Sequence, residues 1–200
     1  MNEKIIQTIF PFYKKSFRIS EEKRRLRYDM RFLKDELSDT DKEFAAEKVF
    51  NRIEKLPQFI SAQKVLIYWS TPDELPTHEF IKKWHSEKFI VLPSIKGKKL
   101  VLKHYSPTGK MVQHSLGIWE PDLIETYPGK VDLIIVPGVG FDWKKNRLGR
   151  GKGYYDRFFK RNSKALKIGV GFDFQLLKSI PVSRWDYKLD KIITPTEIVE

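Results

Sequence analysis

The chain has 200 residues, of which 40% are hydrophobic and 14% aromatic, a composition that excludes disorder and provides for one well-filled core. Cysteine is absent, which excludes disulfides, thiolate nucleophiles and thiolate metal sites and is consistent with a reducing cytoplasm. The formal net charge is +12, concentrated in residues 14–34 and 142–161, each with a net charge of +6. Such concentration indicates a polyanionic partner.

The first part of the chain predicts a surface arm followed by two helices. Residues 1–20 carry an apolar cluster that Pro11 interrupts, and we interpret them as an arm packed on the surface. A helix is predicted to begin at Ser20, whose hydroxyl can cap it, with apolar residues at helical spacing: Leu26, Met30, Leu33 and Leu37. A second helix is predicted from near Ser38 until Pro57 stops it.

Beyond residue 57 the pattern alternates between strands and helices. Apolar runs predict strands over residues 65–69, 89–92, 131–136, 166–171 and 191–193. The segment 100–105 predicts an edge strand or a hairpin arm. Helical spacing predicts helices over 77–87 and 154–160. This alternation indicates an α/β fold. We therefore expect a single domain over residues 21–200, built on a mostly parallel sheet flanked by helices in a Rossmann-like three-layer sandwich.

A glycine-rich basic loop follows the strongest predicted strand and leads into a helix. Gly149, Gly151 and Gly153 alternate with Arg150 and Lys152. Glycines let backbone N–H groups approach an anion closely, and the intervening side chains can neutralise its charge. Helix N-termini beyond parallel strands also attract phosphate. The loop is therefore a candidate phosphate site, with a flexible basic surface loop as the alternative.

Two standard phosphate-binding motifs do not fit this loop. A P-loop requires a glycine where the chain has Asn146, and a serine or threonine where it has Gly153. A dinucleotide fingerprint requires a wider glycine spacing than that of residues 149–153. The loop therefore needs another interpretation.

The wider sequence resembles a known family. Residues 138–142 read Gly-x-Gly-Phe-Asp, and residues 146–156 read Asn-Arg-Leu-Gly-Arg-Gly-Lys-Gly-Tyr-Tyr-Asp without a break. Together they strongly resemble the signature of the 5-formyltetrahydrofolate cyclo-ligase family, also called 5,10-methenyltetrahydrofolate synthetase. Supporting matches extend the resemblance over about residues 22–195; they lie at 23–27, 73–77, 117–121 and 186–190.

The resemblance implies a reaction that couples ATP to ring closure. The formyl oxygen of 5-formyltetrahydrofolate attacks the γ-phosphate, N10 then closes the ring, and phosphate leaves. The products are 5,10-methenyltetrahydrofolate, ADP and phosphate. Such phosphoryl transfer requires positioning and charge stabilisation above all.

The resemblance also implies which residues hold the nucleotide. Two basic segments, distant in sequence, would close on one triphosphate. The implied ATP-binding residues are Lys23, Arg24, Arg25, Leu26, Arg27, Arg147, Leu148, Gly149, Arg150, Gly151, Lys152, Gly153, Tyr154 and Tyr155. Of these, Arg150 and Lys152 are the implied catalytic residues. For the helical segment, the alternative is an ordinary solvated face.

For the folate, the resemblance implies the side chain of Glu74 as the partner of the amino-pyrimidine edge, because a carboxylate accepts paired hydrogen bonds. The other implied substrate-binding residues are Trp69, Arg150, Gly151, Lys152, Gly153 and Tyr154. For an aromatic residue that ends a strand, as Trp69 does, a core position is the more common alternative, and the alternative for Tyr155 is simple packing.

For the metal, the resemblance implies that Asp156 and Asp190 ligate Mg²⁺, which takes hard oxygen ligands. Two alternatives remain open from the residues themselves. Asp156 could pair with a nearby cation of its own helix, and Asp190 could form an Asx turn before a strand. Asp142 is interpreted as a turn or capping residue.

Two other functions fit the composition. A nucleic-acid-binding module would use the net charge together with the 8 tyrosines and 5 tryptophans. An ATP-dependent kinase or ligase would use the same loop on another small acceptor. We expect ATP and 5-formyltetrahydrofolate, possibly polyglutamylated, as ligands of a cytoplasmic monomer. We expect no nucleic-acid partner and no membrane association, since no apolar run approaches the ~20 residues of a membrane helix.

Overall fold

The structure is a computed structural model, and it describes residues 3–113, 117–162 and 164–200, with side chains from residue 16 onward. The helices of the described residues are α1 (Glu3–Asp35), α2 (Asp39–Glu54), α3 (Pro57–Ser61), α4 (His78–Trp84) and α5 (Tyr154–Arg161). The strands are β1 (Lys64–Ile67), β2 (Phe89–Lys96), β3 (Lys99–His104), β4 (Met111–Gln113), β5 (Trp119–Pro121), β6 (Leu133–Pro137), β7 (Gly140–Asp142), β8 (Arg147–Leu148), β9 (Leu166–Val170), β10 (Leu176–Leu177), β11 (Lys191–Ile193) and β12 (Ile198–Val199).

One large sheet organises the domain. Its described strands follow the order β12–β11–β9–β6–β1–β2–β3. The five inner strands are parallel, and the edge strands β3 and β12 pair antiparallel. The order reverses between β1 and β6, because β2 follows on one side and β9 on the other. Ligands of open α/β sheets bind outside the carboxyl ends of strands at such a reversal.

The sheet is buried on both faces, which confirms the predicted α/β architecture. Val65 and Ile67 point into a cluster with residues of α2, α3 and α4. Leu66 points to the opposite face, into a cluster with Phe158 and Phe159 of α5. Side chains alternate across a strand, so both faces of the central strands are apolar, with the buried Lys167 of β9 as an exception. This is why they are recognisable as short continuous apolar runs.

The first helix differs from the prediction, because α1 begins at Glu3 and runs through Ser20. Ser20 therefore does not cap a helix, and Pro11 lies within one. Helix propagation adds one hydrogen bond per residue, so extending a helix costs less than nucleating a new one. The division into an arm over residues 1–20 and a domain over 21–200 stays a prediction. No helix in the described part of the chain has the length and apolarity to cross a bilayer.

Most other predicted elements are confirmed, whereas the small sheets were missed. Ser38 caps α2, with its hydroxyl oxygen accepting from the backbone N–H of Asp41 at 3.1 Å. The 100–105 segment is an edge strand, β3, in a hairpin with β2. Two small sheets, β4–β5 and β10–β7–β8, were not predicted. Their strands of two or three residues are too short to show an alternating pattern.

Asp142 holds the β7–β8 hairpin that precedes the glycine loop. Its Oδ1 accepts from the backbone N–H groups of Lys144 and Asn146, both at 2.9 Å. Its Oδ2 accepts from the Asn146 side-chain amide at 2.9 Å and from the backbone N–H of Ile180 at 3.0 Å. The residue is only 1% exposed. The prediction of a turn residue is therefore confirmed.

Replacing Asp142 with alanine is expected to lower the free energy of unfolding by about 3 kcal/mol, because buried donors lose their acceptor. Urea denaturation measures the change. The control is Asp122→Ala, at a carboxylate 48% exposed and 3.4 Å from the Lys110 ammonium, which should change stability by less than about 1 kcal/mol. Equal stability of the two variants would contradict this role for Asp142.

Candidate functional site

A cavity of about 560 Å³ opens at the carboxyl ends of β1 and β6, where the strand order reverses. Its wall combines parts of the chain that are distant in sequence. These are one face of α1, the segment after β1, the β2–β3 hairpin, Ile118, residues between the end of β6 and the start of α5, and residues 183–186. The cavity therefore lies where the sheet topology predicts a ligand site.

The glycine loop over residues 149–153 forms one wall of the cavity. Gly151 and Gly153 have φ angles of +98° and +65°, in the left-handed region that favours glycine. A side chain at Gly151 would also meet the guanidinium of Arg27, whose carbon lies 3.4 Å from the Cβ position. The backbone conformation therefore favours glycine at both positions, and α1 lies within van der Waals reach of the loop at Gly151.

One face of α1 packs against this loop. The Nε of Arg27 donates to the carbonyl oxygen of Gly149 at 2.8 Å, and the Lys23 ammonium pairs with Asp186. Burial lowers the pKa of the Arg27 guanidinium, although Asp186 opposes this shift. The structure therefore brings the two basic segments together at one cavity, as predicted.

The residues between Lys23 and Arg27 do not reach the cavity. Arg24 and Arg25 are exposed, Leu26 is half-buried, and the cavity is lined by none of the three. Successive helix residues are turned by about 100°, so only positions three or four apart share a face. Their assignment to the nucleotide therefore stays a prediction.

Arg147 lies beneath the loop and is only 5% exposed. Its terminal nitrogens donate to the carbonyl oxygen of Pro137 at 3.2 Å and to Asp156 at 3.3 Å. Its guanidinium lies 5.2 Å from the ring centroid of Tyr155, and burial raises the pKa of the Tyr155 hydroxyl. The Nε of Arg147 is buried without a partner among the described residues. Arg147 and Tyr155 thus support the loop, and both line the cavity together with Leu148.

An acidic turn after β1 contacts the glycine loop at the cavity. One nitrogen of Arg150, Nη2, lies 2.7 Å from Thr71 Oγ1, 2.7 Å from Asp73 Oδ1 and 3.0 Å from Glu74 Oε1. The Oε2 of Glu74 accepts from the backbone N–H of Thr71 at 3.1 Å. Arg150, predicted for phosphate, is therefore attached to the residue predicted for the pterin.

Asp73 is ionised in this turn. Burial opposes the charge, but the Thr71 hydroxyl and the cations Arg150 and Lys34 together lower the pKa of Asp73 to about 2. Lys34 comes from the end of α1 and is 4% exposed, with its ammonium 3.5 Å from Asp73 Oδ2. The acidic turn is thus in contact with α1 on one side and with the glycine loop on the other.

Among the charged side chains of the glycine loop, that of Lys152 makes the fewest contacts. Its side chain is exposed and lines the cavity. Within residues 16–113, 117–162 and 164–200, no hydrogen bond or ion pair engages its ammonium group. All three of its N–H donors are therefore available to a ligand.

Asp156 and Asp190 have separate partners in the structure. Asp156 lines the cavity, where it contacts Arg147 and its Oδ1 accepts from the backbone N–H of Tyr187 at 3.3 Å. Asp190 lies three residues after Tyr187, just before β11, and accepts from the backbone N–H of Lys167 at 2.7 Å. The pairing of the two carboxylates on one metal stays a prediction. No group of three metal-binding side chains occurs among the described residues.

The two aromatic residues predicted for the substrate both line the cavity. The Trp69 ring lies 4.3 Å from that of His78 and 5.7 Å from that of Tyr105, so it belongs to the core and to the wall at once. The Tyr154 hydroxyl lies 3.4 Å from the carbonyl oxygen of Gly97 in the β2–β3 turn. The hairpin is thus linked to the start of α5.

Several lining residues were missed by sequence reasoning. On α1 these are Ser16, Ile19 and Ser20. They share the face of Lys23 and Arg27 by helical spacing, so a helix extended before Ser20 would have identified them. Ser183 and Trp185 were also missed, and no motif marks them beyond their proximity to the 186–190 segment.

Fold and cavity define a mostly parallel α/β protein with a cationic glycine loop at the switch point of its sheet. The sequence profile of the 5-formyltetrahydrofolate cyclo-ligase family matches residues 19–195. The chain belongs to this family and is an enzyme of this class, which confirms the resemblance seen in the sequence.

Individual relatives agree with this assignment. The 5-formyltetrahydrofolate cyclo-ligase of Escherichia coli K12 is 31% identical over 163 residues, covering 77% of this chain and 90% of the relative. A probable 5-formyltetrahydrofolate cyclo-ligase of Caenorhabditis elegans is 30% identical over 198 residues, with coverages of 90% and 96%. The solved structure of Aquifex aeolicus 5,10-methenyltetrahydrofolate synthetase superposes with a TM-score of 0.79 at 35% identity, covering 88% of this chain and 91% of that one.

The carboxyl group of Asp73 is expected to titrate with a midpoint near 2, in NMR spectra that follow its carboxyl carbon against pH. Arg150→Ala should raise this midpoint toward 3.8, because a nearby cation stabilises the carboxylate. Lys144→Ala is the control, since this exposed lysine lies outside the cavity. An unchanged midpoint in Arg150→Ala would contradict the contact.

Proposed function

We propose that this chain cyclises 5-formyltetrahydrofolate to 5,10-methenyltetrahydrofolate with ATP and Mg²⁺, releasing ADP and phosphate. The observation that carries the proposal is the shared cavity, in which the cations of α1 and of the glycine loop meet an acidic turn. A polyanion needs cationic partners, and an amino-pyrimidine needs hydrogen-bond acceptors. This cavity has both.

The chemistry explains the need for ATP. The N5-formyl group is amide-like, and its oxygen is a poor leaving group as hydroxide. Attack of that oxygen on the γ-phosphate forms an O–P bond, breaks the bond to ADP and leaves an activated iminium phosphate. N10 then attacks the formyl carbon, its proton passes to solvent, and the C–O bond breaks to release phosphate. The protein has to position the reactants and stabilise negative charge.

The residues of the loop suit the triphosphate. Lys152 supplies an ammonium with all its donors available, and backbone N–H groups of the glycines can approach phosphate oxygens. Arg27 and Lys23 bring a second cationic surface to the same ligand. Arg150 offers the N–H groups that the acidic turn does not use. No general base is needed for the formyl oxygen to attack.

One carboxylate beside the glycine loop is compatible with magnesium. Mg²⁺ is commonly held by one or two carboxylates together with substrate phosphates and waters, and Asp156 lies beside the glycine loop with lone pairs beyond its two contacts. Asp156 would hold the ion, and the ion would neutralise charge on the phosphates. The assignment of Asp190 to the same ion stays a prediction.

Glu74 fits the pterin. Each of its oxygens accepts one hydrogen bond, from Thr71 and from Arg150, and each keeps a further lone pair for the amino-pyrimidine edge. Its side chain is 10% exposed, so water competes little for those positions. Trp69 and Tyr154 provide aromatic wall on the same cavity.

The direct test incubates the purified protein with ATP, Mg²⁺ and 5-formyltetrahydrofolate and follows the methenyl chromophore. We expect product to form only when all three are present, with one ADP released per turnover. ATP turnover with another acceptor and no methenyl absorbance would contradict the proposal. So would an inactive protein that binds RNA with a steep salt dependence.

Lys152→Ala is expected to reduce kcat at least a hundredfold and to raise the KM for ATP, because a point charge at the phosphates is lost. Thermal stability should be unchanged, since the ammonium has no partner among the described residues. Lys144→Ala, an exposed lysine six residues before Arg150 and outside the cavity, should keep full activity. Loss of the fold in Lys152→Ala would show that the loop lysine is structural.

Glu74→Gln is expected to raise the KM for the folate roughly tenfold to a hundredfold, the range for one lost charge-assisted hydrogen bond. The KM for ATP should change less than threefold. Initial rates with each substrate varied separately measure both. The control is Glu79→Gln, at a carboxylate 87% exposed that pairs with Lys82. Equal effects on the two KM values would remove Glu74 from the pterin site.

A further inference from the structure

Arg150 is attached to the acidic turn through a single nitrogen. Its Nη2 contacts three acceptors, of which two can take its two hydrogens directly while the third shares one. Its Nε and Nη1 have no hydrogen-bond partner within the part of the chain that the structure describes. A guanidinium carries five N–H groups. Three of them are therefore available to a ligand while the side chain is held in place.

Asp73 is the acceptor that connects this contact to α1. Its Oδ1 lies 2.7 Å from Arg150 Nη2, and its Oδ2 lies 3.5 Å from the buried ammonium of Lys34. The cavity is lined by Glu74 but not by Asp73. Asp73 is thus placed to act on Arg150 rather than on a ligand.

The turn that carries Asp73 is held by its own hydrogen bonds. The Tyr68 hydroxyl donates to the carbonyl oxygen of Leu75 at 2.8 Å. The Thr77 hydroxyl donates to the carbonyl oxygen of Tyr68, also at 2.8 Å. The Thr71 hydroxyl donates to Asp73 Oδ1 at 2.7 Å. Because the acceptors are fixed, the position of the Arg150 nitrogen bound to them is fixed as well.

The charges of this cluster balance. Lys34 and Arg150 are positive, and Asp73 and Glu74 are negative. Without Asp73, Arg150 would have Glu74 as its only acidic partner in the turn, and its pairing with that carboxylate would strengthen. Glu74 would then be less available to another ligand, and Arg150 would be less constrained.

We infer that Asp73 is a positioning residue for the proposed reaction. It holds Nη2 of Arg150 so that Nε and Nη1 bind the phosphoryl group in transfer, and it shares the arginine so that Glu74 remains available to the pterin. This inference rests on the proposed function, because it assigns a role within that reaction. Lys34 supports it by holding Asp73 from α1.

The test compares Asp73→Asn, Asp73→Glu and Lys34→Met by kcat, by the two KM values and by thermal unfolding. Asp73→Asn should lower kcat about tenfold to a hundredfold, the effect of a small misplacement of a positioned group, with the KM for ATP changed less than threefold. Asp73→Glu should recover part of the loss, and Lys34→Met should show a smaller loss. Asp35→Asn is the control, at a carboxylate 61% exposed that pairs with Arg31, and it should match the wild type.

A double-mutant cycle shows whether Asp73 acts through Arg150. In an Arg150→Lys background, Asp73→Asn should change kcat less than twofold, because the fork that it positions is gone. Additive effects of the two changes would overturn the inference, as would an unchanged kcat in Asp73→Asn. Parallel losses of kcat and thermal stability in all three variants would make Asp73 structural and also overturn it. A wild type without methenyl product would instead contradict the proposed function itself.

Discussion

The contact between α1 and the glycine loop is the interaction on which the site depends. Arg27 donates to the carbonyl oxygen of Gly149, and Lys23 pairs with Asp186 on a third segment. Each contact uses only part of the donor capacity of its cation. The helix therefore joins distant parts of the chain and still presents positive charge to the cavity. With Lys152 nearby, the wall is self-repelling, and a bound polyanion relieves that repulsion.

The turn after β1 gives another part of the cavity wall a negative charge. The turn after β1 carries Asp73 and Glu74, and both approach Arg150 of the glycine loop. The contacts of Arg150 join the acidic turn to the basic loop. Each of these groups keeps hydrogen-bond donors or acceptors that the contacts do not use. One cavity can thus receive two reactants of different charge side by side, which is what a transfer of phosphate between them requires.

Buried polar groups beneath the surface hold the loop in shape. Arg147 packs against Tyr155 and the backbone of Gly149, where a Cβ would lie 2.9 Å from its guanidinium. Asp142 closes the preceding hairpin with four accepted hydrogen bonds. A buried polar group is costly unless it is paired, so these residues favour one conformation of the loop. Arg147, which the sequence assigned to the nucleotide, combines this supporting role with a place in the cavity wall.

Local pattern by itself determined the parallel strands, the start of the second helix near Ser38 and the candidate loop, because apolar runs, helical spacing and glycine spacing act over a few neighbouring positions. It also identified Lys23 and Arg27, since helical spacing places them on one face. Tertiary structure alone decided that Asp156 contacts Arg147, that Arg150 contacts Asp73, and that Trp185 lines the cavity. Those facts depend on which distant segments pack together. Strand order and helix packing determine this through contacts between residues that lie far apart in the sequence.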